Sequence, residues 1–291
     1  MQTWKPTGST EKTAKCTQER KGRCRSAPHF SKGNGGIHNN ALHLLKCVVP
    51  EPSPDQSTPG TSHLDRSLGQ LLQPLFERIA NSPGVWRADP VGLWRTSEGS
   101  YWMPRLVFQP PGEEPSTKVA IFAGIHGDEP AGVDALCDLV ETFDALPKLA
   151  RQYLIHVYPL CNPTGLEDGT RHSRSGKDLN REFWCRSPEP EVQILEREIL
   201  RNRYDGFISL HSDDTSDGFY GFVRGATLTE HLLKPALIAA ERLLPVNQAP
   251  MIDGFHAVNG IIHTAYDGIL SAPPETHPVP FEIILESPAH A

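Results

Sequence analysis

The chain has 291 residues, 38% of them apolar, and a formal net charge of −7, enough for one large α/β domain or two small ones with a real core. Its longest apolar runs, such as Val119 to Gly124 and Phe281 to Leu285, fall far short of the ~20 residues a membrane-spanning helix needs. The first thirty residues lack the apolar stretch and small-residue cleavage site of a secretory signal, so we expect a cytoplasmic protein with no membrane partner. Cys16, Cys24, Cys47, Cys137, Cys161 and Cys185 are scattered without a C-x-x-C pair, which argues against a thiolate metal site or a dense disulfide scaffold.

Residues 1 to 62 are rich in Gly, Ser, Thr, Pro, Lys and Asn, a composition that cannot bury much apolar surface. We read them as a disordered arm and place one folded domain over 63–291. Up to Lys32 the arm carries a balance of +6, leaving −13 on the remainder. It lacks interleaved aromatics and a folded binding motif, so no nucleic-acid partner is expected. From Leu64 the character changes. Leu68, Leu71, Leu72, Leu75 and Ile79 recur at helical spacing, and the run stops at Ser82-Pro83-Gly84.

Two segments, about Val91 to Arg95 and Tyr101 to Phe108, flank a Ser-Glu-Gly-Ser turn and predict an antiparallel edge hairpin. Near-continuous apolar runs over Lys118 to Gly124, Tyr153 to Leu160, Gly206 to Leu210 and Phe281 to Leu285 predict strands covered on both faces. Helical patterns lie between them, over Ala131 to Phe143, Glu189 to Arg203 and Leu228 to Leu244. Strands alternating with helices predict an α/β fold with an open, mixed, largely parallel sheet flanked by helices.

Ligand sites in such sheets gather beyond the carboxyl ends of the strands. The first strand runs into His126-Gly-Asp-Glu129, three residues apart at the expected start of a helix, where an imidazole and a carboxylate can turn to one side. The third runs into Leu210-His211-Ser212, and the last carries Glu286. Two histidines and a glutamate, with a fourth position left to water, form the open ligand set of a catalytic zinc site, for which carboxypeptidase A is the standing example. A separate carboxylate must then move the proton of the attacking water, and Glu286 is placed for that. Glu282, four residues earlier on the same strand face, is its rival.

The run His126-Gly-Asp-Glu129, Asn162-Pro-Thr-Gly165, Asp178-Leu-Asn-Arg181, His211-Ser212 and Leu285-Glu286-Ser-Pro resembles the zinc carboxypeptidase (carboxypeptidase A-like) superfamily, including its succinylglutamate desuccinylase/aspartoacylase branch. The match covers Lys118 to the C-terminus. The resemblance implies one zinc ion on His126, Glu129 and His211, with Glu286 as general base. It implies that Asn180 and Arg181 grip the substrate's free carboxylate, which suits a planar guanidinium. It also implies an arginine that stabilises the developing oxyanion. Arg171 and Arg174 both qualify, with Arg171 preferred. Tyr266 falls where peptidases of the family carry a mobile substrate-contacting tyrosine. Asp178 is read as orienting its own loop or Arg181. Asp213, Asp214 and Asp217 are read as solvated loop acids, or as partners of a ligand imidazole.

Two departures accompany the resemblance: residues 1–62 match nothing in the family, and the chain stops five residues after Glu286, as a C-terminally truncated domain would. The expected activity is hydrolysis of an amide bond beside a substrate carboxylate, first as a metallocarboxypeptidase acting on a peptide. The alternatives are an N-acyl amino acid deacylase and an inactive carboxylate-binding module.

Overall fold

The computed structural model describes residues 68–82, 85–97, 99–112, 114–264 and 269–289. Both the expected N-terminal arm and Tyr266 lie outside them. The first helix, α1 (Leu68–Ala80), buries Leu72, Leu75, Phe76 and Ile79 along one stripe. The expected hairpin follows as β1 (Trp86–Arg95) and β2 (Ser100–Phe108), antiparallel from Trp86↔Phe108 to Arg95↔Ser100. The β1 strand starts earlier than its apolar pattern suggested. Its Pro90 sits at a bulge between Pro90 and Gly92, and an edge strand tolerates a proline there.

Then come β3 (Thr117–Phe122), α2 (Ala131–Ala145), β4 (Tyr153–Tyr158), the short helix α3 (Pro163–Asp168), α4 (Pro190–Asn202) and β5 (Gly206–Asp213). Four short strands, β6 (Tyr220–Val223), β7 (Met251–Ile252), β8 (Phe255–Val258) and β9 (Ile261–Ile262), precede the long β10 (Phe281–Pro288). The helix expected over Leu228 to Leu244 forms as consecutive pieces, Ala226–Leu228, a π-turn Thr229–Leu233, and Lys234–Ala240.

The strands form one mixed sheet in the order β1-β2-β4-β3-β5-β10-β6-β9-β8-β7. Its centre, β4, β3, β5 and β10, is parallel, and antiparallel strands lie on both sides. Successive side chains of β3 divide between two cores, as a strand buried on both faces requires. Val119 and Ile121 join Leu75, Val133, Leu136 and Val140 beneath α1 and α2. Ala120 and Phe122 join Val192, Leu195 and Phe207 beneath α4. On that second face Phe122 stacks on Tyr158 and Phe207 at centroid distances of 4.9 and 6.0 Å, an aromatic floor below the carboxyl ends of the strands. Among the described residues no helix is long and apolar enough to cross a membrane.

One buried charge stands outside this packing logic. Glu191, 2% exposed in the first turn of α4, has a carboxylate oxygen with no hydrogen-bond partner. Burial, helped by nearby Glu189, pushes its pKa up from 4.5 to about 7. Between those two values the folded protein keeps a proton that the unfolded chain has lost, so stability falls as pH rises through that window and stays low above it. Glu191→Gln is neutral throughout. It should therefore gain on the wild type by on the order of 1–2 kcal/mol between pH 5 and pH 8, measured by urea unfolding at both values; a difference that does not change with pH would refute the assignment.

Candidate metal centre

The loop that leaves β3 has little room. Gly124 turns it with φ +61°, and a Cβ on Gly127 would stand 1.9 Å from the backbone carbon of Gly165. Here the chain must pass backbone to backbone against α3, which only glycine allows. Asn162, fully buried, caps α3 by accepting from the Gly165 amide at 2.9 Å and donates to the Arg171 carbonyl at 3.4 Å. The Asn-Pro-Thr-Gly motif thus fixes both the His126 loop and the start of the segment that carries Arg171.

His126 and Glu129 lie in this loop and not in the first turn of α2, which begins only at Ala131. The reason is Pro130, since a residue before proline is steered away from the helical region. His211 sits inside β5, which runs beyond the expected Leu210 because β10 pairs along its whole length. In that register His211 lies opposite Glu286, so both side chains leave the sheet on the same face.

His126, Glu129 and His211 are all buried, and one ligand atom from each lies within 4.8 Å of the others. His126 Nδ1 is 2.6 Å from Glu129 Oε1, His211 Nδ1 is 2.8 Å from Oε2, and the two Nδ1 atoms are 3.2 Å apart. Ring nitrogens facing each other so closely beside a carboxylate call for a shared cation or proton. A tetrahedral ion with bonds near 2.05 Å would separate two ligand atoms by about 3.3 Å, which the nitrogen–nitrogen spacing matches, while the 2.6 and 2.8 Å contacts to Glu129 are hydrogen-bond lengths. The far nitrogen of His126, Nε2, lies 3.2 Å from Asp178 Oδ1, the carboxylate–imidazole arrangement that orients a metal-binding ring.

Asp178 does more than the sequence suggested. Besides meeting His126, it accepts from Arg171 Nε at 3.1 Å and from its own loop at the Asn180 amide at 3.0 Å. Arg171 also reaches Glu129 at 3.5 Å. Arg174 turns elsewhere. It pairs with Asp168 and Glu167, donates to Tyr101 Oη at 2.6 Å, and does not line the cavity. Asn180 accepts from the Leu270 amide at 2.8 Å, and Arg181 donates to the Asn180 carbonyl at 2.9 Å.

A cavity of about 320 Å³ is lined by the three candidate ligands together with Arg171, Asn180, Arg181 and Glu286. Glu282 faces a narrow recess farther along the same strand face, lined also by Arg224 and Thr264, and accepts from the Ala272 amide. Two expectations for the loop acids change. The partner of the His126 ring is Asp178, and Asp213 is a bonded wall residue. Asp213 accepts from the Thr215 amide and hydroxyl and from Tyr220 Oη at 2.8 Å. Tyr220 and Asp253 also line the cavity. The sequence did not single them out, because β6 and the β7–β8 turn are too short to leave a periodic signal.

The electrostatics separate two carboxylates. Burial would raise Glu129, but its bonds to His126 and His211 outweigh burial and bring it to about 2. Burial pushes Glu286 up to about 8; His211 opposes this and Glu129, Asp213 and Asp253 add to it. For His126 the bonds to Asp178 and Glu129 overcome burial, so its protonated form is favoured beyond the ordinary range.

Residues 115–248 match the succinylglutamate desuccinylase/aspartoacylase catalytic domain, a span that contains every candidate residue from His126 to His211 and ends before Glu286. Human carboxypeptidase D is 25% identical over 159 residues, which is 48% of this chain and only 11% of that protein. Among solved structures, a candidate metallopeptidase of Shewanella amazonensis superposes with TM-score 0.65 at 18% identity, covering 81% of this chain and 91% of that one. A metallo-carboxypeptidase of Burkholderia cenocepacia superposes with TM-score 0.56 at 22% identity, over 76% and 60%. The chain is thus similar over residues 115–248 to the succinylglutamate desuccinylase/aspartoacylase catalytic domain, and it shares its fold with structures described as metallopeptidases and carboxypeptidases.

Proposed function

We propose that the chain is a zinc-dependent hydrolase of an amide bond adjacent to a substrate carboxylate, acting as a metallocarboxypeptidase. One observation supports this above the others: a single cavity gathers His126, Glu129 and His211 with a separate carboxylate, Glu286, and with Arg171, Asn180 and Arg181. His126, Glu129 and His211 would hold the ion, which supplies polarisation of the scissile carbonyl and a water acidified toward pKa ~7. Asn180 and Arg181 receive the substrate carboxylate, fixing the amide in the cavity. Glu286 accepts the proton of the attacking water and passes it to the leaving nitrogen. The Arg171 guanidinium, steadied by Asp178, faces the negative charge that develops on the carbonyl oxygen. The domain match favours a second reading, removal of an acyl group from an N-acyl amino acid; the peptidase reading is preferred for the long Asn162-to-Arg181 segment.

Purified protein should bind one zinc. Asp178→Asn should weaken that binding by about tenfold or more in competition with a chromophoric chelator, and an unchanged affinity would remove Asp178 from the role of orienting His126.

In hydrolysis of C-terminal peptides, Glu286→Gln should lower kcat by at least about a hundredfold while zinc content is kept. Arg171→Ala should cost roughly a hundred- to a thousandfold, whereas Arg174→Ala should act through the Tyr101, Glu167 and Asp168 cluster on the thermal midpoint. Zinc-loaded protein that cleaves N-acyl amino acids and no peptides would reverse the order of the two readings.

A further inference from the structure

The Asn180 side of the cavity is braced by a stretch that plays no part in the scheme above. Three consecutive residues between β9 and β10, Leu270 to Ala272, are each tied to a different element. The Leu270 amide donates to Asn180 Oδ1 at 2.8 Å, the Ser271 carbonyl accepts from the Trp184 indole at 3.0 Å, and the Ala272 amide donates to Glu282 of β10 at 3.2 Å. Leu270 is buried in one core with Leu179 and Phe183, and Trp184 and Ala272 pack against that core. Ile269, one residue earlier, lines the cavity.

The first of these bonds decides what Asn180 can offer. A side-chain amide has one accepting end and one donating end. Oδ1 is taken up by Leu270, so the end left over is the amide nitrogen, which has no hydrogen-bond partner among the described residues although Asn180 is only 5% exposed and lines the cavity. A donor is what a carboxylate requires. Turned by half a rotation, the amide would present an oxygen to the substrate's negative charge and set its own nitrogen against the Leu270 N–H, donor against donor.

The second bond comes from a turn in an unfavourable conformation. Trp184 lies in the left-handed region, φ 60°, and so does Arg186, φ 59°. For a bulky side chain this region persists only where surrounding contacts over-determine it. Here the Trp184 amide donates to Glu196 of α4 at 2.5 Å, and Ser187 donates to Glu182 at 2.8 Å across the turn. The result is an indole N–H aimed at Ser271, 87 residues farther along the chain.

We infer that Trp184 is a positioning residue for the substrate carboxylate. Its indole bond fixes Ser271 and with it the neighbouring Leu270 amide, and that amide sets which end of Asn180 faces the cavity. Trp184 itself is not among the residues that line the cavity. The inference rests on the role proposed above for Asn180 and carries that role one layer outward, to a residue that touches neither substrate nor metal.

The test compares binding of N-benzoylglycyl-phenylalanine with binding of its C-terminal carboxamide, by calorimetry on the full chain with zinc supplied and Glu286→Gln in place to prevent turnover. The acid should bind at least about tenfold more tightly than the carboxamide. Trp184→Phe keeps an aromatic ring and removes the N–H, and it should lower this acid-to-amide ratio by about three- to tenfold. Added to Asn180→Ala, it should change the ratio no further. A residue that only stabilised the fold would move the thermal midpoint and leave the ratio alone. Should Trp184→Phe not fold, Glu196 gives the second reading: Glu196→Gln keeps an acceptor for the Trp184 amide and should keep the ratio, whereas Glu196→Ala should lower it. A starting ratio near one, a ratio untouched by Trp184→Phe and Glu196→Ala, or an effect that adds in full to that of Asn180→Ala overturns the inference. The hydrolase reading is tested apart, on the chain that retains Glu286. A ratio that depends on Trp184 without hydrolysis of any peptide keeps the inference and sinks that reading; hydrolysis with a ratio indifferent to Trp184 does the reverse.

Discussion

The site depends on the register of β5 between its two parallel neighbours. Pairing Leu285↔Leu210 and Glu286↔His211 on one side, and Ile121↔Ile208 and Phe122↔Ser209 on the other, sets three strand ends at one level. A slip of one residue between β5 and β10 would turn His211 and Glu286 to opposite faces. Apolar packing enforces the register. Ile284 and Phe207 bury on one face, and Ile283 on the other, so any slip exchanges core for surface. Glu129 then ties the β3 loop to β5, because one of its oxygens faces His211 and also accepts from the Ser212 amide at 3.2 Å.

Once these ends are level, the same burial acts differently on different carboxylates. Glu129 meets two imidazoles and stays ionised far below its usual range, as a metal ligand should. Glu286 has no hydrogen-bonded partner of that kind among the described contacts and is pushed toward neutral pH, as a group that takes up and releases a proton should be. Two acids in one cavity with pKa values driven apart by their surroundings is a recurrent way of dividing roles between ligand or charge stabiliser and proton carrier. Asp178 extends this logic outward by joining the His126 ring to Arg171, so the candidate ligand set and the Arg171 guanidinium share one support.

How much was legible in the sequence follows the length and periodicity of the elements. The central strands, the hairpin and the helices over Leu68–Ala80, Ala131–Ala145 and Pro190–Asn202 declared themselves by long apolar patterns. The strands from Tyr220 to Ile262 did not, because two to four residues cannot display an alternation. The same holds within the site. His126, Glu129 and His211 were visible because each follows a buried strand. The choice between Arg171 and Arg174 was not, since it turns on which side chain meets the Tyr101, Glu167 and Asp168 cluster, a contact made across β2 and α3. Asp178 was read only in part: it holds its own loop at the Asn180 amide as expected, but its further partner is a histidine 52 residues away, brought near only by the fold.

The fold itself says little about substrate. Structures that share it here do so at 18 to 22% identity, and one sheet can host different reactions through the loops it presents. The domain match stops at residue 248, before Asp253, Ile269, Ile284 and Glu286, all of which line the cavity. The matched part contains the candidate cation ligands His126, Glu129 and His211, together with Asn180 and Arg181. Other lining residues come from the end of β5, from the β7–β8 turn and from β10. The matched fold therefore does not by itself choose a substrate, and in the proposed hydrolase that choice would fall to the short loops set against a rigid register.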